Sequence, residues 1–228
     1  MSKKILILIS GFPGTGKTYL SNILINKIKN LNYISPDDLK EEIYDKYGFN
    51  NNDEKEKLIL QMWEQYFELM EINMRNKKNI ISDYPFSIKQ YSKIKKLSEK
   101  YNYNVLTVRL LADINILFER QRKRDMSLNR HLGHLTTSYH KGQKQEQRTE
   151  ENGLLLTYEE FSKRCSERGY DKFVIGKLFE HDVTTYNDTE YDKFIEEIIN
   201  YIEYAKEKGC LLTGTEDMHV EKINVVLE

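Results

Sequence analysis

The sequence predicts an α/β fold: a central parallel sheet of about five strands, with helices on both faces making three layers. Three observations predict it. Ile5-Leu6-Ile7-Leu8-Ile9 is an unbroken aliphatic run of strand length, as expected of a central parallel strand buried on both faces. A glycine-rich octapeptide, Gly-Phe-Pro-Gly-Thr-Gly-Lys-Thr at residues 11–18, follows at once and leads into Leu20, Ile23, Leu24 and Ile28 at helical spacing. Strand-like and helix-like segments then alternate along the chain, and such alternation implies right-handed crossovers.

Taken in order, Leu31 to Ile34 form a short strand. Ser35 is a good N-cap and Pro36 suits the first helical position, so a helix starts there, runs through Leu39, Ile43 and Tyr47, and stops at Gly48. Residues 53 to 75 form a longer helix whose stripe of Ile59, Met62, Trp63, Tyr66, Phe67 and Met70 reads as core. Asn79 to Asp83 is the next strand, broken by Tyr84-Pro85. A helix spans Ser87 to Lys100, a strand Val105 to Leu111, and Asp113 caps a helix running toward Arg120. A last, weak strand is expected at Val183 to Asn187, before an amphipathic helix with Phe194, Ile195, Ile198, Ile199 and Ile202 on one face. Residues 207–228 show no firm periodicity and remain unassigned within a single domain spanning 1–228.

The octapeptide matches the phosphate-binding P-loop pattern at Gly11, Gly16, Lys17 and Thr18, in the strand–loop–helix context the motif requires. Its glycines let backbone N–H groups turn inward around phosphates. Gly11, Pro13, Gly14, Thr15, Gly16, Lys17 and Thr18 are therefore the expected nucleotide-binding residues. Lys17 is expected on the β- and γ-phosphates and Thr18 on Mg²⁺, and the following helix presents its positive dipole end to the same anion. The implied ligands are a nucleoside triphosphate, taken as ATP, and Mg²⁺.

Bulk properties narrow the class. The 35 basic and 36 acidic side chains nearly cancel, so no global field argues for nucleic acid or membrane. Cys165 and Cys210 fit neither a metal spacing nor a disulfide framework, which suits a reducing cytosol, and no apolar run approaches the length of a membrane span. A cytoplasmic protein with no membrane partner is expected. One stretch, about 119–150, breaks the rhythm: it is polar, weakly patterned and basic, with Arg120, Arg122, Lys123, Arg124, Arg130, Lys141, Lys144 and Arg148. In a nucleotide-binding chain such an insertion reads as a lid over phosphates, against the plainer reading of a solvated loop. His131, His134 and His140 fall in it without a carboxylate or cysteine at zinc-ligand spacing.

These residues together resemble the small P-loop kinases, a group including polynucleotide, adenylate and gluconate kinases, zeta toxins and chloramphenicol phosphotransferases. The resemblance covers roughly residues 4 to 130 plus the last strand and helix, and implies the P-loop NTPase three-layer fold with a basic lid. Ser35-Pro36-Asp37-Asp38-Leu39-Lys40 resembles the stretch that carries a catalytic aspartate in polynucleotide kinases. Ile80-Ile81-Ser82-Asp83 resembles the third strand with its terminal acid, and Arg120-Gln-Arg-Lys-Arg124 the lid arginines. The resemblance thus implies Asp37 as the group that orients the acceptor hydroxyl and takes its proton, with Asp38 as the alternative. It implies Asp83 with Thr18 around Mg²⁺, Arg120 and Arg124 as catalytic clamps on the migrating phosphoryl group alongside Lys17, and Lys40 on the acceptor. Plainer readings stay open: Asp37, Asp38 and Asp83 all sit where acids favour a helix start, and the arginines form a basic stripe in any case. Arginines that flank the acid in polynucleotide kinases are replaced here by Pro36 and Lys40, which favours a small hydroxyl-bearing acceptor of nucleoside, sugar or antibiotic type over a 5′-hydroxyl polynucleotide. A different class, a nucleotide-dependent switch or scaffold, would use residues 150–180 and the tail as partner surfaces.

Overall fold

The aliphatic run becomes the middle strand of a five-stranded, all-parallel sheet in a computed structural model that describes residues 4–143 and 155–208. The strands are β1 (Ile5–Gly11), β2 (Leu31–Tyr33), β3 (Asn79–Asp83), β4 (Asn104–Leu111) and β5 (Lys177–Asp182), in the order β2-β3-β1-β4-β5. Ile7 of β1 lies beside Ile81 on one side and Leu106 on the other. Alternate β1 residues serve opposite faces. Ile5, Ile7 and Ile9 pack with Leu20 and Leu24 of α1 (Lys17–Lys27) and Ile195, Ile198 and Ile202 of α7 (Asp188–Lys208). Leu6 and Leu8 pack with Met62, Tyr66 and Met70 of α3 (Asn52–Arg75) and Ile94 of α4 (Ile88–Lys100). Both faces are covered, which is why β1 carries no polar residue until its end. This is the P-loop NTPase fold.

The helix starts follow their signals. Ser35 accepts the Asp38 N–H at 3.1 Å to open α2 (Pro36–Tyr47), and Gly48, at φ 63°, ends it. Asp113 accepts the Asn115 N–H at 2.8 Å to open α5 (Ile114–Met126).

Three features differ from the sequence reading. The last strand is Lys177–Asp182, not Val183 to Asn187: β5 is a half-exposed edge strand, and Val183 is the buried residue just beyond it. The helix toward Arg120 runs on to Met126, so the first turns of the expected lid are helical. A further helix, α6 (Tyr158–Glu167), is opened by a capping box between Thr157 and Glu160 and packs Phe161 and Cys165 against Leu117 of α5. The expected lid residues Lys144 and Arg148, together with Cys210 and nearly all of the tail, lie outside the described residues.

Candidate active site

β1 runs straight into the P-loop at the carboxyl edge of the sheet, between β3 and β4; the chain passes from β1 to β2 on one side of it and from β3 to β4 on the other. That is the topological switch point of an open α/β sheet. Gly11, at φ 125°, lies so close to β4 that a Cβ there would sit 2.3 Å from the Leu110 carbonyl oxygen. Gly14, at φ 88°, faces the Leu117 carbonyl of α5 in the same way, at 3.0 Å. Gly16 is left-handed at the N-cap of α1 and offers no side-chain cap, so the first N–H groups of that helix are left for a ligand. Thr15 tightens the loop by donating to the Phe12 carbonyl at 2.9 Å.

Lys17 is folded onto its own loop, with Nζ donating to the carbonyls of Phe12 at 2.8 Å and Gly11 at 3.2 Å. Burial, then the Arg124 charge, pull its pKa down to about 8 against the opposing effect of Asp83 and Asp37. Such an ammonium gains from an anion beside it. Next to it Thr18 donates a 2.6 Å hydrogen bond to Oδ2 of Asp83, and Tyr33 donates one of 2.6 Å to Oδ1. A buried carboxylate held by two hydroxyls is an all-oxygen set that suits a hard cation. No cluster of three or more His, Cys, Asp or Glu that could hold a metal exists among the described residues.

Across the cleft stand Asp37 and Lys40, in the first turns of α2. Lys40 Nζ lies 2.9 Å from Asp37 Oδ1 and 3.3 Å from the Tyr84 hydroxyl, and 4.9 Å above the Tyr84 ring. Lys40 is enclosed, whereas the Asp37 side chain is 40% exposed and opens on the cleft. Desolvation pulls the Asp37 carboxyl upward, but Lys40, then His134 and Arg130, outweigh it and hold the acid well below the usual carboxylate range. Asp38, in contrast, is pushed up by burial despite its hydrogen bond with Ser35.

The two expected clamp arginines do not share a target. Arg120 donates to the carbonyls of Val183 at 2.8 Å and Thr184 at 3.2 Å, on the loop after β5. Arg124 donates to Gln121 Oε1 at 2.8 Å and lies near enough to Lys17 to depress it. Burial, then Arg130, lower its own pKa.

Residues 130–141 form a strap across α2. His134 meets Glu41 at 2.7 Å, His131 meets Asp45 at 3.0 Å, and Tyr139 donates to the same Asp45 oxygen at 2.6 Å. Phe49 and Tyr139 exchange backbone hydrogen bonds of 2.8 and 2.7 Å, and Leu132 and Tyr139 join Tyr44 and Phe49 in a small core. Burial brings His134 down to about 4 although Glu41 favours its cation, so this imidazole is neutral at physiological pH. Arg130 reaches Asp125 at 3.5 Å and Glu41 at 4.0 Å.

The P-loop, α2, the start of α3, the strap and α6 enclose a cleft of about 920 Å³ that holds Lys17, Thr18, Asp37, Lys40, Asp83, Arg120 and Arg124 together. It also holds Tyr33, Tyr84, Lys55 and Arg164, to which the sequence assigns no site role, and Arg130 and His134, noted there only as members of the basic stretch.

The AAA_33 family, an AAA domain, matches residues 6–149. The chain belongs to that family. Solved structures of similar shape include proteins named as kinases. A protein of Chloroflexus aurantiacus J-10-fl, provisionally assigned as a kinase, aligns at TM-score 0.64 with 16% identity, over 92% of this chain and all of its own. A gluconokinase from Sinorhizobium meliloti 1021 aligns at 0.52 with 14% identity, over 91% and 97%. The tunicamycin resistance protein of Deinococcus radiodurans aligns at 0.51 with 16% identity, over 86% and 96%. At these identities the likeness is one of fold, a P-loop kinase-like domain. No curated protein matches the chain in sequence. No described helix is long and apolar enough to cross a membrane.

Proposed function

We propose that the protein is an ATP-dependent kinase that transfers the γ-phosphoryl group to a hydroxyl of a small-molecule acceptor. The observation that carries this is the pairing of two walls in one cleft. Lys17, Thr18 and Asp83 form a phosphate wall, and the Asp37–Lys40 ion pair stands opposite with its carboxylate open to the same space.

In this reading the P-loop N–H groups and Lys17 hold the triphosphate, and Arg124 adds positive charge where it builds on the migrating group. Thr18 and Asp83 would hold Mg²⁺, which supplies charge neutralisation across the phosphates. Asp37 accepts a hydrogen bond from the acceptor hydroxyl and aims its oxygen at the γ-phosphorus. The new O–P bond forms as the bond to the β–γ bridging oxygen breaks, ADP leaves, and the acceptor proton passes to Asp37. Lys40 keeps Asp37 ionised and therefore a weak base at rest. A loose transition state needs alignment first and takes the proton late, so orientation is the larger part of Asp37's work. Lys40 acts in this scheme through Asp37, which it positions and charges, and Arg120 supports the loop after β5.

The strap favours a small acceptor. It bounds the far end of the cleft, joined to α3 by Lys55 donating to the Thr136 carbonyl at 2.8 Å and to residue 49 by the backbone pairing of Tyr139. Incubation with γ-labelled ATP and Mg²⁺ against nucleosides, sugars, aminoglycoside-type compounds and 5′-hydroxyl oligonucleotides tests the proposal. Label in a small acceptor supports it, label in the oligonucleotide alone moves the acceptor class to polymers, and label released only as inorganic phosphate overturns the kinase reading.

A further inference from the structure

Most cations in the cleft have a protein partner: Lys40 has Asp37, Arg130 has Asp125 and Glu41, Arg124 has Gln121, and Arg120 has two carbonyls. Lys89 and Arg168 are exposed, and two half-buried cations stand apart. Lys55, on the first turn of α3, has its ammonium on the Thr136 carbonyl at 2.8 Å and over the faces of Phe49 and Tyr44, at 5.3 and 6.0 Å, with no carboxylate partner among the described residues. Arg164, on α6, makes no hydrogen bond or ion pair among the described residues. Both line the same cleft. Burial first, then the Lys40 charge and more weakly that of Arg164, bring Lys55 down to about 8 against the exposed Glu56. Glu160, the other acid near Arg164, is spent on the N-cap of α6, accepting the Thr157 N–H at 2.9 Å.

Two half-buried cations in one cleft, neither paired with a carboxylate among the described residues, are unfavourable until an anion sits there. The P-loop supplies its own charges for the nucleotide, and Lys55 sits against the strap, on the Thr136 carbonyl, rather than on the P-loop. From this arrangement, and resting on the kinase reading above, we infer that the acceptor itself carries an anionic group, a phosphate ester or a carboxylate. Lys55 and Arg164 bind that group, while the acceptor's hydroxyl meets Asp37. The site then selects charged acceptors over their neutral parents, since an uncharged parent leaves both cations unpaired.

The experiment fills the P-loop with a saturating non-hydrolysable ATP analogue and Mg²⁺, then titrates inorganic phosphate and, separately, acetate by calorimetry. It uses the full-length protein and the Lys55→Gln and Arg164→Gln variants, with analogue binding measured on each sample to report an intact fold. Saturable binding of one anion that weakens at least about tenfold in each variant is expected from the loss of a charged hydrogen-bond partner. The anion that binds tells phosphate from carboxylate. Absence of binding for both anions, or binding that is the same in both variants, overturns the inference. In parallel, matched acceptors are assayed as neutral, carboxylated and phosphorylated forms. A higher kcat/KM for the neutral forms overturns the inference while leaving the kinase reading intact. Anion binding lost in both variants, with label released only to water, supports the anion site while removing the kinase reading.

Discussion

Thr18 and Asp83, 65 residues apart, are joined by a 2.6 Å hydrogen bond from the threonine hydroxyl to the carboxylate. The loop that meets the phosphates and the acid ending β3 are thus one unit, created by the parallel pairing of Ile9 with Asp83. If that unit holds Mg²⁺, Asp83→Asn, which keeps the shape but removes the charge, weakens Mg²⁺-dependent ATP binding by about tenfold or more, the scale of losing one charge-assisted contact. Binding without Mg²⁺ changes little. Calorimetric titration of ATP with and without the metal checks this, and an unaltered response to Mg²⁺ in the variant argues against the assignment.

Lys40 governs the charge of Asp37. Desolvation alone drives the Asp37 pKa up, and Lys40 is the largest influence holding it down. Lys40→Met removes that influence, so the Asp37 pKa rises. The acid limb of the pH–kcat profile then moves to higher pH, because the carboxylate is lost earlier as pH falls. A profile measured from pH 4 to 8, with melting temperature as a control for folding, shows the movement. An unmoved acid limb means that Asp37 does not govern it.

His134 makes the strap sensitive to acid. Its pKa is lowered from the ordinary 6.5 to about 4, so between those values the unfolded chain binds a proton that the folded one refuses. The stability it contributes is complete above pH 6.5 and is lost as pH falls through about 4. Glu41, Asp45 and Asp37 are also depressed and act in the same direction at lower pH. His134→Gln keeps a hydrogen bond to Glu41 without the titration, so its melting temperature falls less steeply than that of the natural protein between pH 6.5 and 4. Parallel slopes contradict the assignment.

Gly133 lets the strap reach α2. A Cβ at that position would come within 2.5 Å of the Tyr44 ring. Gly133→Ala therefore displaces the strap or Tyr44 and destabilises the protein by about 1–3 kcal/mol, the usual cost of overpacking. The strap borders the acceptor half, so the variant raises acceptor KM more than it alters ATP affinity. Denaturant unfolding and steady-state kinetics test the two parts separately.

What the sequence revealed and what it hid have physical reasons. β1, the P-loop and α3 were legible because burial on both faces or along one stripe leaves a strong hydrophobic pattern. β5 was placed six residues late because an edge strand with half-exposed residues reads as Lys-Leu-Phe-Glu-His-Asp, while the buried, β-branched Val183 just beyond it, whose N–H still donates to the Leu111 carbonyl of β4 at 2.7 Å, gives the stronger strand signal. α6 was missed because Phe161 and Cys165 are its only fully buried residues, too few for a periodic signal. Within the site, Lys17, Thr18 and Asp83 follow from local motif and strand end. The strap's contacts join residues 86 to 94 positions apart and leave no local trace. Arg120 and Arg124 lie on one turn-spaced pair, yet the loop after β5 captures only the first.

The division of labour between Lys17 and Asp37 is the most direct test of the account. ATP affinity and transfer of labelled phosphate to an acceptor are measured separately for the natural protein, Lys17→Ala and Asp37→Asn. Lys17→Ala is expected to lose both. Asp37→Asn is expected to keep ATP affinity while transfer falls about 10²- to 10⁴-fold, the usual worth of a positioned acid–base group. Transfer at the natural rate by Asp37→Asn would contradict it, as would a loss of transfer seen only in Asp38→Asn.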